Sequence, residues 1–161
     1  MGRRASYYHY DDGDTLVAIN LNEVNIGTSL PELKRQVTQE CINLYATASG
    51  DFNPVHIDQD FARHTPLGDT IAHGMLIMAY ISEFMTSSFG QAWLTGGSLS
   101  ARFKAPARPG DTMTVSGQVT KLQKEDGIIS ISCDVLCQNG QGEPVIICET
   151  KVKVKTDEDI S

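Results

Sequence analysis

The 161-residue sequence has no apolar run near the roughly 20 residues that a membrane-spanning helix requires, which excludes a helical span and predicts a soluble chain. An export signal is also missing. The two arginines of "MGRRASYYHYDDGD" have no apolar core behind them, so the start reads as neither secretory leader nor anchor, and a cytoplasmic protein is expected. The four cysteines, Cys41, Cys133, Cys137 and Cys148, include no C-x-x-C pair of the kind that holds zinc, and without export they are expected to stay reduced as small core or strand residues. Basic charge is in short supply. A net charge of −7 suits the chain poorly to the phosphate backbone of nucleic acid, although a local basic patch could still hold a phosphorylated ligand. Internal repeats and low-complexity segments are absent.

What is present is ordinary globular material, 40% hydrophobic and 20% charged. A chain of this size forms one compact domain that buries about 70% of the surface its unfolded form exposes. Residues 1–14 are polar and aromatic without periodicity and read as an arm, flexible or strapped over a neighbour; residues 156–161 read as an acidic tail. Between them, "TLVAINL" alternates partly and predicts a first strand, and "NIGTSLPEL", with Gly27 and Pro31, predicts a loop. Thr38 reads as the cap of a helix over "QECINLYATAS" that stops at Gly50, and Asp58 as the cap of a short helix over "QDFARH". The longest helix is predicted from near His73 to Phe89, stopped by Gly90, and it is apolar enough on every side to be buried nearly all round. From "SLSARFKAP" onward the period changes to two. Four β-branched runs predict an antiparallel meander, and helices before long strands predict an α+β domain in which one apolar helix is covered by a curled sheet.

The stretch "GDFNPVH" places Asp51 and His56 five apart, a spacing at which they would not meet on a regular helix face. Pro54 provides a bend instead, since it fixes its own φ and pushes Asn53 into an extended conformation. An Asp near a His commonly does no more than cap a helix or satisfy a core hydrogen bond. The second segment, "IAHGM", opens the buried helix with Gly74, whose missing side chain lets a ligand approach the backbone N–H. A helix start stabilises developing negative charge through its unpaired amides and its dipole. An acid/base pair and an oxyanion donor together suit chemistry on a carbonyl compound. A metal is not expected: His56, His64 and His73 are spaced at eight and nine residues, which matches no short helical ligand pair.

These residues carry a resemblance. "YATASGDFNPVHID", then "DTIAHGM", then "RFKAPARPGD" resemble the MaoC-like (R)-specific enoyl-CoA hydratase family, or hydratase 2, of hotdog fold, over roughly residues 35 to 155. The resemblance implies a single MaoC-like hotdog domain over residues 15–155 and a homodimer with its pockets at the subunit interface. It implies Asp51 and His56 as the catalytic pair, the Gly74 amide as oxyanion donor and Asn53 as an orienting partner. The implied reaction is reversible addition of water to a trans-2-enoyl-CoA, giving an (R)-3-hydroxyacyl-CoA, with no cofactor beyond the CoA of the substrate. Beside these, Met75, Met78, Ser82 and Met85 fall on one stripe of the long helix and could border an acyl tunnel, core packing being the alternative. Arg102, Lys104 and Arg108 form a basic cluster that could meet CoA phosphates, or an ordinary solvated strand face. Two other functions fit the same residues: dehydration of 3-hydroxyacyl groups on acyl carrier protein, and a non-catalytic acyl-CoA-binding partner subunit.

Overall fold

Alternation of apolar and polar residues builds the second half of the molecule. The computed structural model describes residues 19–21 and 23–155, so the arm at 1–14 and the tail at 156–161 lie outside the described residues. In chain order the elements are β1 (Ser29–Gln36), α1 (Gln39–Ser49), α2 (Pro54–Ile57), α3 (Gln59–Arg63), α4 (Gly74–Phe89), α5 (Gln91–Gly96), β2 (Ser98–Phe103), β3 (Thr112–Glu125), β4 (Ile128–Gln138) and β5 (Pro144–Lys155). Along β4, Ile129, Ile131, Cys133, Val135 and Cys137 are buried while the residues between them are not. This period of two is what a half-buried strand requires.

The five strands form one antiparallel sheet in the order β1-β3-β4-β5-β2. Only β3, β4 and β5 make the expected meander. β2 precedes β3 in the chain but pairs with β5, from Ser98 opposite Lys151 to Phe103 opposite Ile146, because β1 occupies the edge of β3 that a continuous meander would have used. The loop expected over "NIGTSLPEL" is corrected in the same way, since its second half is strand β1. Pro31 is accommodated because β1 is an edge strand with a register irregularity between Leu30 and Leu33, where a residue without an N–H removes no necessary ladder bond. Of the expected first strand, residues 15–18 lie outside the described residues and 19–21 are not strand; instead Ile19 N–H donates to the Ser88 carbonyl at 3.2 Å.

Helix α4 lies against the inner face of the sheet, with Leu76, Ile77, Ile81, Phe84, Met85 and Phe89 among its buried residues. It comes close because β3 carries Gly117: a Cβ there would stand 3.1 Å from the Phe84 ring and 3.2 Å from the Asp134 carbonyl. The helix is buried on most of its faces, as expected, with Met75 and Ala79 exposed. α5 has no counterpart in the sequence reading, which ended the helical region at Gly90. Trp93 of α5 is buried, and its indole N–H donates to Ser82 Oγ at 3.0 Å, so the hydroxyl on the apolar helix has its partner.

Two outcomes follow from this packing. A Cβ on Gly97 would lie 2.3 Å from the Trp93 ring and 2.5 Å from its carbonyl oxygen, so Gly97→Ala is expected to cost about 1–3 kcal/mol, read as a lower denaturation midpoint with an unchanged denaturant slope. Burial pushes the thiols of Cys133 and Cys148 up to about 11 and that of Cys137 up to about 12, whereas Cys41 is only half-buried. A thiol reagent at pH 8 should therefore label Cys41 at most in the folded protein and all four cysteines after unfolding.

Candidate active site

Two helix boundaries make the loop that carries the first site residues. α1 stops at Gly50, which takes the left-handed conformation at φ 76° that a side chain would resist, and α2 starts at Pro54 with Asn53 as its cap. Between them each polar side chain holds the backbone two residues on: Asp51 Oδ1 accepts from Asn53 N–H and Asn53 Oδ1 accepts from Val55 N–H, both at 3.2 Å. The Asn53 side chain thus shapes the loop. Gln39 then ties the loop down, donating through Nε2 to the His56 carbonyl at 2.8 Å and accepting through Oε1 from the Thr70 hydroxyl at 2.7 Å. At the far side of this clamp the Asp69 carboxyl is held below its ordinary value, chiefly by the Thr70 N–H and then by the Gln59 side chain.

His56 is oriented by one further bond. Its Nδ1 lies 2.8 Å from the Ile71 carbonyl, and a carbonyl only accepts, so Nδ1 carries a proton and the neutral ring keeps a bare lone pair on Nε2. The same logic applies to His73, the cap residue of α4. Its Nε2 lies 2.9 Å from the Asp51 carbonyl and therefore donates, while its Nδ1 is buried without a partner. The two imidazoles stack with ring centres 3.8 Å apart and planes 30° apart, and Tyr45 tilts against His73 at 4.9 Å. One ligand-type atom from each of Asp51, His56 and His73 lies within 4.8 Å of the others. His73 is the member of this group that sequence reading did not place among the site residues; the signal for it was only its position beside Gly74.

The stacking argues against a shared ion. Two imidazoles on one metal need in-plane lone pairs that converge, whereas an ion in the plane of one stacked ring would stand well out of the plane of the other. The remaining histidine of the alternative, His64, points its Nδ1 at the Asp60 carbonyl at 2.6 Å and takes no part in the group.

Gly74 opens α4, is exposed, and follows a cap residue whose side chain makes no capping bond, so the helix presents its first amides uncapped. The absent Cβ has a packing reason as well, because the Phe103 ring would meet it at 2.9 Å. Beside Gly74 is a cavity of about 320 Å³ whose walls include Ala72, Ile77, Phe103, Lys104 and Ile146. Of the three basic candidates only Lys104 borders this cavity. Arg102, on the opposite face of β2 from Phe103, lines a groove of about 810 Å³ with Ser100, Asp134 and Glu149, and Arg108 contributes its amide to the Asp111 carboxylate at 2.8 Å. The helix stripe also divides: Met75 is exposed, Met78 half-buried, Ser82 bonded to Trp93, and Met85 fully buried, with its sulfur 3.7 Å from the Thr150 hydroxyl. Chemically, one bare imidazole nitrogen and one exposed carboxylate stand together with His73, the residue before the uncapped helix start, and Gly74 at that start borders a mostly apolar cavity. That combination can take a proton from water next to a polarised carbonyl.

The chain is similar to proteins of known activity. An (R)-specific enoyl-CoA hydratase of Rhodospirillum rubrum is 32% identical over 143 residues, covering 88% of this chain and 95% of that protein. A 3-hydroxybutyryl-CoA dehydratase of Methylorubrum extorquens is 32% identical over 127 residues, 79% of each. Among solved structures, the (R)-hydratase from A. caviae involved in PHA biosynthesis superposes with a TM-score of 0.70 at 26% identity, covering 82% of this chain and 98% of that one, and the fold is the hotdog fold that the resemblance implied. The family model for the MaoC like domain matches residues 22–138, well over half of the chain, and the protein accordingly belongs to the MaoC-like family.

Proposed function

We propose that the protein is a hydro-lyase that interconverts trans-2-enoyl-CoA and (R)-3-hydroxyacyl-CoA at the site formed by Asp51, His56 and the start of α4. The observation that carries this reading is the meeting of the Asp51 carboxylate and the His56 ring beside the uncapped first turn of α4. The relatives named for CoA thioesters support the substrate class. Water is a weak nucleophile until a base draws off its proton, and the bare His56 Nε2 and the Asp51 carboxylate are the two groups placed to accept it. As the water oxygen bonds to C3, the C2–C3 π electrons shift toward the thioester oxygen. The Gly74 N–H faces that charge as a pre-oriented dipole donor. The proton taken from water, or one exchanged with it on the pair, then goes to C2. No electron is gained or lost, so the step needs no redox cofactor.

The acyl group enters the cavity beside Gly74, and Lys104 at its wall offers a cation for the CoA phosphates. A second copy of the chain completes the site. Asp51, Phe52, Ile57, Phe61, Met75 and Phe103 are all exposed in one protomer, and five of these are large apolar side chains around the catalytic loop and the helix start. A homodimer that covers them would exclude bulk water and strengthen every electrostatic interaction at the pair.

Purified protein given crotonyl-CoA is expected to consume the enoyl-thioester absorbance and to yield the (R)-3-hydroxy product on chiral analysis; an unchanged substrate would refute the reading. Asp51→Asn and His56→Ala should each lower kcat by about 10²–10⁴-fold while the protein stays folded, and near-normal rates in either would remove that residue from the mechanism. Light scattering should give a mass of about twice the 17.6 kDa chain, and a monomer would overturn the shared site.

A further inference from the structure

His73 makes contacts that core packing does not explain. It is 3% exposed, and its Nδ1 is the buried side-chain nitrogen or oxygen without a hydrogen-bond partner among the described residues. If the position needed only an aromatic ring to fill space between Tyr45 and His56, phenylalanine would do so and leave no nitrogen stranded. What phenylalanine lacks is the donor. The His73 Nε2–H reaches the Asp51 carbonyl at 2.9 Å, and that carbonyl belongs to the same residue whose carboxylate stands at the site. On its flat side the same ring carries the His56 imidazole at 3.8 Å. One side chain therefore touches both halves of the Asp51–His56 pair, from the residue immediately before Gly74.

We infer that His73 is a positioning residue: its Nε2–H holds the backbone of Asp51 while its ring face holds His56, so that the carboxylate, the imidazole and the first turn of α4 keep one mutual geometry. The inference rests on the hydratase reading for its effect on rate, though not for its effect on structure. Its tautomer follows from its surroundings, since Nε2 must donate to a carbonyl and no acceptor is present for a proton on Nδ1. His56 is held in the opposite tautomer, with Nδ1 donating to Ile71. The stacked rings thus have one bare nitrogen, His73 Nδ1, buried without a partner, and one, His56 Nε2, available for chemistry.

The test compares His73→Phe, His73→Gln and His73→Ala in the full chain with crotonyl-CoA as substrate, alongside thermal melts and imidazole ¹⁵N spectra. Phe keeps the ring and loses the donor; Gln keeps an N–H at about the reach of Nε2 and loses the ring. A displaced pair is expected to lower kcat by about 10²-fold in His73→Phe and His73→Ala with KM little changed, and His73→Gln, which restores the donor without the ring face, should recover only part of that loss. A Phe variant that turns over at the parental rate overturns the inference, because filled volume would then suffice. If the parental protein does not hydrate crotonyl-CoA, the functional reading fails and the spectra decide the positioning role. His56 should show a single Nδ1–H signature in the parent that becomes averaged in His73→Ala; an unchanged His56 spectrum in that variant overturns the inference.

Discussion

Burial of α4 against the inner face of the sheet is the interaction on which the rest of the structure depends. A helix with apolar residues on most of its faces has to be covered, and a sheet long enough to curl round it is the cover that the strand-rich second half supplies. The contact is close because Gly117 leaves room for the Phe84 ring. Once the helix is seated, its amino end has one place to be. Ala72 N–H donates to the Ala107 carbonyl at 2.8 Å and Ile71 N–H to the Val55 carbonyl at 3.2 Å, which staple the approach to α4 to the segment after β2 and to α2. The loop that carries Asp51 and His56 is therefore hung from the start of the helix rather than placed independently of it.

That arrangement explains why the polar groups of the site can be few. Asp51, Asn53 and Gln39 spend much of their hydrogen-bonding capacity on backbone groups of the loop itself, so the loop is rigid before any ligand arrives. His56 and His73 each use one ring nitrogen on a carbonyl, which sets the tautomer of both without any charged partner. The uncapped turn at Gly74 then supplies the positive end of a dipole in a surrounding that is mostly apolar apart from Lys104, with Ile77, Ile146 and Phe103 as walls. Preorganised dipoles of this kind act without reorganising as charge develops, which is the physical basis for proposing an acyl-thioester reaction here.

Much of the fold was legible one segment at a time. Thr38 accepts from the Cys41 N–H and Asp58 from the Phe61 N–H, as capping residues do, and Gly50 closes α1 in the left-handed conformation. These signals are local, resting on the chemistry of three or four neighbouring residues. The alternation of β4 was equally plain, since a period of two survives whatever the strand pairs with. Three of the misreadings were non-local. Pro31 marks a loop unless the strand lies at an edge; β2 belongs to a meander unless β1 has already taken the edge of β3; and the helical region ends at Gly90 unless Trp93 finds Ser82 to bond.

At the site the same division holds. By itself the sequence determined the bend and the helix start beside the candidate groups: Pro54 and Asn53 turn the chain between Asp51 and His56, and Gly74 marks a helix start without a side chain, because each of these depends on the residue's own covalent geometry. The tertiary structure alone decided that the bend lies against the helix start, that His73 joins the pair, that Lys104 rather than Arg102 borders the cavity beside Gly74, and that Met85 belongs to the core while Met75 faces outward. Those outcomes turn on which face of a strand or helix meets which neighbour, and that is set by the packing of α4 on the sheet, a property of the whole chain that no short stretch of residues contains.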